Sequence, residues 1–298
     1  MTSLPRALDT FLLDQVARMN SEKTIKDYSE KIDMWIGFAG NKQLEKIDID
    51  DMREYIASLR ERDLARETIR SYITALKVVW SFWADEYGVE NVMSRIKKPK
   101  KQKQSPKSIK TEDFINLFEV AKGHLAIDWR NRAILALLAD TGVRRGEMVR
   151  LNTDIDIIHR NAFVTGKTGS RTIYWSYYVN NLLFKWMAIR PKCKTDALFV
   201  SFTEGREHRR LTGSGVRQVL DRLKAKAGIK GRVNPHSFRH KFAQEYIKGG
   251  GDAITLAHLG GWTDLRMIKE VYAVFDDKEL SELQQKNSPI LKMLSEEK

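Results

Sequence analysis

The sequence is short of cysteine, with only Cys193 among 298 residues. One cysteine cannot form a disulfide within the chain, and it cannot supply the repeated cysteine ligands of a structural zinc site. A disulfide-stabilised fold and a zinc-finger fold are therefore both excluded, and we interpret Cys193 as incidental.

Long hydrophobic runs are also missing. The longest one, residues 133–139, is too short to cross a bilayer. The N-terminal segment carries Asp9 and Asp14 within its apolar part, which is not typical of a signal peptide. We therefore expect a cytoplasmic protein with no membrane partner.

Acidic residues are outnumbered by basic ones. There are 39 Asp and Glu against 52 Lys and Arg, which gives a formal net charge of +13. A basic chain of this kind favours an anionic partner, and nucleic acid is the leading candidate. A basic protein without such a partner remains the alternative.

Residues 1–96 show helical spacing of their apolar residues and no strand pattern. Ser21 is a good cap for a second helix, and Asp48 or Asp50 for a third. We expect this segment to fold as a compact bundle of at least four helices.

Residues 97–107 are rich in lysine, contain two prolines and have no apolar periodicity. This composition is typical of an interdomain linker. The cations Lys97, Lys98, Lys100 and Lys101 can lie along phosphates, where each contact adds salt-sensitive affinity. A solvated spacer is the alternative interpretation.

Residues 108–298 read as a second, mixed domain. A buried helix over residues 128–140 ends at Gly142, and apolar segments at 155–158, 163–165 and 171–175 suggest strands. Gly166 and Gly169 mark a hairpin turn between the last two. The fold class is therefore mainly α with a small antiparallel β-sheet.

Several residues of this domain suggest phosphate chemistry. His236 and Arg239 are three apart, so both lie on one face of a helix and can point at one anion. Arg144 follows a Thr-Gly helix end, and Tyr272 near the end of a later helix can act as a nucleophile. Taken singly, each has an ordinary structural explanation as a surface cation or a core aromatic residue.

Their joint occurrence carries more weight. The strings TGVRRGEMVRL, VTGKTGSR, HSFRHKFA and LGGW, followed by Tyr272, stand in one order over most of the chain. On these motifs the chain resembles the tyrosine recombinases of the phage integrase and Xer type. The resemblance implies a helical N-terminal core-binding domain that grips DNA and a mixed α/β catalytic domain.

The resemblance also implies roles for individual residues. Its catalytic set is Arg144, Lys167, His236, Arg239, Trp262 and Tyr272, with Glu147 in support. Tyr272 would attack a phosphodiester and form a 3′-phosphotyrosyl link, while Arg144 and Arg239 neutralise the phosphate. Lys167 would protonate the departing 5′-oxygen. No metal and no other cofactor is implied.

The partner implied is double-stranded DNA with a specific recombination site, so the protein would be nucleoid-associated when bound. The family works as a homo-oligomer, with two protomers on each site and four at synapsis. Further candidates for DNA contact are Arg66, Arg70, Lys77, Arg209, Arg210 and Arg217. The apolar tail at 289–294 could enter a neighbouring protomer or fold on its own domain.

One spacing departs from the family pattern. Tyr272 lies ten positions after Trp262, one more than the commonest spacing. Three alternatives stay open: a type IB topoisomerase-like enzyme, a DNA-binding protein without catalysis, and a metal-dependent nuclease. Integration, excision and resolution are equally compatible with the motifs.

Overall fold

The computed structural model describes residues 2–100, 108–166, 169–202, 207–266, 268 and 277–295. The chain divides into two compact units, Met1–Lys103 and Gln104–Lys298. A separate hydrophobic core lies inside each unit. The proposed limits of the linker, 97 and 107, remain a prediction.

The first unit is a helical bundle. It contains α1 (Leu4–Ala17), α2 (Glu22–Ala39), α3 (Ile49–Glu61) and α4 (Arg66–Tyr87), with 3₁₀ turns at Leu44–Lys46 and Val92–Arg95. Ser21 accepts a hydrogen bond from the Thr24 N–H at the start of α2, and Asp48 caps α3. These oxygens satisfy backbone donors that a helix start leaves unpaired. Both predicted helix starts are confirmed.

Three tryptophans fill the centre of this bundle. The rings of Trp35, Trp80 and Trp83 have centroids 5.4–5.9 Å apart and are fully buried. The Trp83 indole Nε1 donates to the Ala7 carbonyl at 2.9 Å, which joins α4 to α1. The Trp80 indole Nε1 is buried with no hydrogen-bond partner among the described residues.

In its described residues, the second unit combines helices with one hairpin. Its elements are α5 (Thr111–Val120), α6 (Ala126–Thr141), α7 (Arg145–Met148), β1 (Asn161–Gly166), β2 (Gly169–Tyr174), α8 (Tyr177–Ile189), α9 (Gly213–Lys226), α10 (Pro235–Lys248), α11 (Ala253–Gly260), α12 (Asp277–Asn287) and α13 (Pro289–Ser295). Helix α6 is buried along its length and packs against α8 and α10. Its C-terminal end therefore lies inside the unit, where α10 can reach it.

The sheet has two strands, in the register Gly166 opposite Gly169. The hairpin is therefore confirmed, but the strand expected at residues 155–158 is wrong. There Asp156 exchanges backbone hydrogen bonds with Asn161 and caps the His159 N–H, which makes a tight turn. Ile158 is exposed within it, so its apolar side chain does not mark a strand.

The segment at residues 197–202 is part of the core and not a strand. Ala197, Leu198, Phe199 and Val200 are buried, and within the described residues they pair through isolated bridges to Asn152 and Arg210. An apolar run of this length fits a buried loop as well as a strand, because hydrophobicity alone does not distinguish the two.

No helix among the described residues is long and apolar enough to cross a membrane. The longest, α4, has 22 residues, and charged side chains are spread along it. This fits the packing of α4 inside the first unit, where one face is buried and the other is not.

The two tryptophans of α4 offer a matched test of the Ala7 hydrogen bond. Trp83→Phe and Trp80→Phe remove the same volume from one core, but only Trp83→Phe removes a made hydrogen bond. We expect Trp83→Phe to cost about 1 kcal/mol more in the free energy of unfolding. Thermal and urea unfolding of the full chain measures this difference, and equal losses would contradict it.

Candidate active site

Arg144 is placed by the turn that ends α6. Gly142 has φ +57°, and a Cβ there would lie 2.4 Å from the Phe242 ring of α10. The Thr141 hydroxyl accepts from the Val143 N–H at 3.1 Å and fixes the turn. Glycine is needed at position 142 because its φ is positive and because the Phe242 ring leaves no room for a Cβ. The chain leaves the turn with Arg144 at the start of α7.

Glu147 orients Arg144 from within α7. Its Oε2 accepts from the Arg144 backbone N–H at 2.9 Å, and its Oε1 accepts from Arg144 Nη1 at 2.8 Å. Arg171 Nη1 lies 2.7 Å from the same Oε1. Burial of Glu147 opposes its ionisation, but the hydrogen bonds from Arg171 and Arg144 outweigh burial and lower its pKa. Glu147, 1% exposed, is therefore a carboxylate at neutral pH.

Helix α10 supplies Arg239. Asn234 and Ser237 cap its N-terminus by reciprocal hydrogen bonds, with Pro235 in the first turn. The Arg239 side chain points inward, and the residue is only 4% exposed. Its Nη1 donates to the Gly142 carbonyl at 2.8 Å, and its Nη2 donates to the Gly260 carbonyl at 2.6 Å.

His236 lies one turn before Arg239 and remains exposed. Desolvation lowers its pKa below the ordinary 6.5, and the cations Arg239, Arg232 and Arg144 lower it further. The His240 ring stacks on it at 5.4 Å, with a pKa lowered to about 4 by burial and by His236. His236 is therefore neutral at pH 7, the form that accepts a proton.

The C-terminal end of α11 joins these parts. Three successive carbonyls there accept from three different arginines: Leu259 from Arg171 Nε at 3.0 Å, Gly260 from Arg239 at 2.6 Å, and Gly261 from Arg144 Nη2 at 2.6 Å. A helix leaves its last carbonyls without helical partners, and its negative end attracts cations. The helix end thus holds three guanidiniums close together.

Trp262 is the next residue after Gly261 in the sequence. Its ring lies against the Arg239 guanidinium at 3.8 Å, a cation–π contact. The close-packed turn before it needs glycine, because a Cβ on Gly260 would lie 1.8 Å from the Trp262 ring. Arg144, Arg239, Glu147 and Trp262 are therefore brought together as expected, while Lys167 and Tyr272 lie outside the described residues.

Arg171 was missed by the sequence reasoning. It pairs with Val164 across the hairpin and faces inward with Ile173, on the buried side of the sheet. The signal was present in the sequence, since Arg171 shares one face of the predicted strand with the apolar Ile173 and Trp175. A charge in that position needs a partner inside the protein.

The cations predicted to contact DNA differ in their exposure and in their hydrogen bonds within the chain. Lys97, Lys98, Lys100, Arg66, Arg209 and Arg217 are exposed, whereas Lys101 lies outside the described residues. Arg70 donates to the Pro99 carbonyl, and Lys77 to the Ser94 carbonyl. Arg210 Nη1 donates to the backbone carbonyls of Val149 and Leu151. Its Nη2 donates to the side-chain oxygens of Asn152 and Asp196. Arg210 therefore has an intramolecular role, and DNA contact by these cations stays a prediction.

Chemically, the site concentrates positive charge. Two of its three guanidiniums, those of Arg144 and Arg171, pair with the Glu147 carboxylate. Backbone carbonyls orient all three cations without cancelling their charge. Such a cluster can bind an anion with planar, forked donors. Among the described residues, no group of three or more His, Cys, Asp or Glu side chains could hold a metal ion.

Gly261 provides a test of how tightly the arginines are held. Gly261 and Gly88 both end a helix at φ +66°, but a Cβ on Gly261 would lie 3.0–3.2 Å from Arg171 and Arg144, whereas one on Gly88 meets nothing within 4 Å. Gly88→Ala should cost about 1 kcal/mol of stability from backbone strain. Gly261→Ala should cost more, because the guanidiniums must also move. Calorimetric unfolding compares them, and equal costs would mean that the arginines yield freely.

Comparison with known proteins covers both units. The model of the Phage integrase family matches residues 107–279, and that of the Phage integrase, N-terminal SAM-like domain matches residues 9–86. Tyrosine recombinase XerC of Bacillus pumilus (strain SAFR-032) is 30% identical over 280 residues, 89% of this chain and 90% of the relative.

Solved structures agree on the fold. The Tn1549 transposon integrase in complex with a circular intermediate DNA has a TM-score of 0.78 at 15% identity, covering 96% of this chain and 99% of the other. XerH site-specific recombinase bound to a palindromic difH substrate has a TM-score of 0.71 at 21% identity, covering 89% and 80%. The mainly helical fold with one small antiparallel sheet is confirmed. This chain belongs to the phage integrase family, the tyrosine recombinases that cleave and rejoin DNA.

Proposed function

We propose that this chain is a site-specific DNA recombinase that acts through a 3′-phosphotyrosyl intermediate. One observation carries the proposal: Arg144 and Arg239, from different elements, are held side by side by the Gly260 and Gly261 carbonyls. Two forked cations at one place match the non-bridging oxygens of a phosphodiester. They would stabilise the negative charge that builds up as the phosphorus gains a fifth ligand.

The cleavage step then uses a nucleophile, a base and an acid. The Tyr272 hydroxyl gives its proton to neutral His236, and its oxygen forms a bond to phosphorus. The bond from phosphorus to the 5′-oxygen breaks, and Lys167 donates a proton to that oxygen. We assign the Trp262 indole N–H the role of a further donor to the phosphate.

Rejoining reverses these roles on a second DNA end. A 5′-hydroxyl attacks the phosphotyrosyl phosphorus, the new phosphodiester forms, and the Tyr272 oxygen leaves and regains its proton. One phosphoester replaces another at each step, so the reaction needs no ATP. Metal-independence follows if the arginines supply all of the charge stabilisation.

We assign DNA binding to both units. Residues 1–96 would grip the core site, residues 97–107 would run along phosphates, and residues 108–298 would carry out the chemistry. The exposed side chains of Lys97, Lys98 and Lys100 support the second assignment. Each phosphate contact should add to the salt dependence of binding.

We also propose two protomers on each site and four at synapsis. The exposed Ile290, Leu291 and Met293 of α13 support exchange of the C-terminal tail between protomers, because they offer apolar surface for burial. Tetramers on DNA would separate recombination from the topoisomerase alternative, whose chemistry needs one duplex only. The place of action would be the cytoplasm, on the nucleoid.

The nucleophile is tested with a nicked suicide DNA substrate that carries the cognate site, or with a site library, in EDTA. We expect a covalent protein–DNA adduct on a denaturing gel, and we expect Tyr272→Phe to abolish it, because no hydroxyl remains to attack. Tyr246→Phe, on α10, is the control and should keep the adduct. An adduct that survives Tyr272→Phe would assign the attack to another residue. DNA binding without any adduct would favour a non-catalytic binding protein.

The proton acceptor is tested by the pH dependence of single-turnover cleavage. Because the folded pKa of His236 lies below 6.5, the residue stays neutral as pH falls to that value and is protonated only below it. The rate should therefore be flat from about pH 7.5 to 6.5 and fall at lower pH. His236→Gln should be slower and lose this fall, whereas His258→Gln, an exposed histidine of α11, should retain it. A fall that persists in His236→Gln would assign it to another group.

A further inference from the structure

The Arg171 side chain extends from the hairpin into the site and makes contacts there with two other elements. Its side chain is only 11% exposed, its Nη1 lies 2.7 Å from Glu147 Oε1, and its Nε donates to the Leu259 carbonyl at 3.0 Å. Its Nη2 is buried without a hydrogen-bond partner among the described residues. A buried arginine is costly unless it is paired, so these contacts fix its position closely.

Arg171 and Arg144 pair with the same oxygen of Glu147. Both guanidiniums donate to Glu147 Oε1, and the other carboxylate oxygen is taken by the Arg144 backbone. If Arg171 were absent, Glu147 would pair with Arg144 alone and would offset more of its charge. Arg171 therefore controls how much of the Arg144 charge remains for an anion.

Arg171 also joins three elements. It begins on β2, reaches Glu147 on α7, and ends at the carbonyl of Leu259, next to the two carbonyls that hold Arg239 and Arg144. In the sequence, Lys167 lies between β1 and β2, four residues before Arg171. The hairpin and the arginine cluster are thus connected through one side chain.

We propose that Arg171 is a positioning residue for DNA cleavage, acting through Glu147 on Arg144 and through Leu259 on the end of α11. The proposal rests on the recombinase function proposed above. Arginine is required, because the single nitrogen of lysine cannot donate along two directions to Glu147 and Leu259 at once. The effect should appear in the chemical step and not in DNA affinity, since Arg171 itself is largely enclosed.

The first experiment compares Arg171→Gln and Arg171→Lys with Arg160→Gln. Arg160 precedes β1, and its guanidinium stacks on Tyr177 at 3.9 Å, so its removal takes one cation from the base of the same hairpin without touching Glu147. Single-turnover cleavage of the suicide substrate is measured over a range of protein concentrations. We expect both Arg171 variants to lower the rate at saturation about 100-fold, as small misplacements of reacting groups do. The protein concentration that gives half of the maximal rate should change less than about twofold, because DNA affinity is unaffected. Arg160→Gln should cleave like the wild type.

The second experiment distinguishes positioning from a merely structural role. Glu147→Gln is combined with Arg171→Gln, and cleavage rates and melting temperatures are recorded for the wild type, both single variants and the pair. Because part of the Arg171 effect passes through Glu147, the double variant should lose less rate than the product of the two single losses, a non-additive result. Losses that multiply would overturn the proposal, as would an Arg171→Gln rate equal to that of the wild type.

Folding is controlled by Arg171→Lys, which keeps a cation in place. A melting temperature near that of the wild type with slow cleavage supports positioning, whereas unfolding of both Arg171 variants would make Arg171 a residue of the fold and overturn the proposal. Absence of any adduct with the wild-type protein would instead refute the recombinase function itself. The two failures are therefore distinct.

Discussion

The end of α11 is the constraint on which the second unit depends. Its last carbonyls have no partners within the helix, and arginines from β2, α10 and the start of α7 supply them. Because a carbonyl is a dipole and carries no net charge, it orients a guanidinium without neutralising it. Within the described part of the chain, Glu147 is the carboxylate that pairs with Arg144 and Arg171, so these three cations and one carboxylate leave a formal excess of two positive charges. That excess is what an anion gaining charge in a transition state requires.

Burial of the arginines costs desolvation energy, and it also strengthens their interaction with an anion. Arg239 is almost fully enclosed, and the carbonyls of Gly142 and Gly260 replace the water that it loses. In such a setting the interaction with an anion is screened less than at a free surface. The Trp262 ring closes one side of the guanidinium and limits its movement. The site is therefore pre-arranged by the fold, and binding DNA would need little further ordering of these two cations.

The sequence predicted the parts of the structure that local chemistry decides. Ser21 and Asp48 begin helices because their oxygens cap backbone donors, and Gly166 and Gly169 end the strands of the hairpin. It failed at residues 155–158, where Asp156 makes a turn that apolar spacing alone does not reveal. Arg171 could have been suspected as an inward-facing charge, but its partners could not. The Leu259 carbonyl belongs to the backbone, which has no residue-specific signature, and it comes close only when α11 packs against the hairpin.

The hairpin is anchored on both strands close to its turn. Arg150 donates to the Thr165 carbonyl on β1, and Arg171 on β2 reaches Glu147 and Leu259. The strand ends at Gly166 and Gly169 are thereby fixed relative to the arginine cluster, and Lys167 comes directly after the first of them. Among the described residues, the contacts that hold the arginine cluster come from α7, β2, α10 and the end of α11, up to Trp262. The ten-position spacing between Trp262 and Tyr272, longer than the one expected from the family resemblance, therefore begins where these described contacts end.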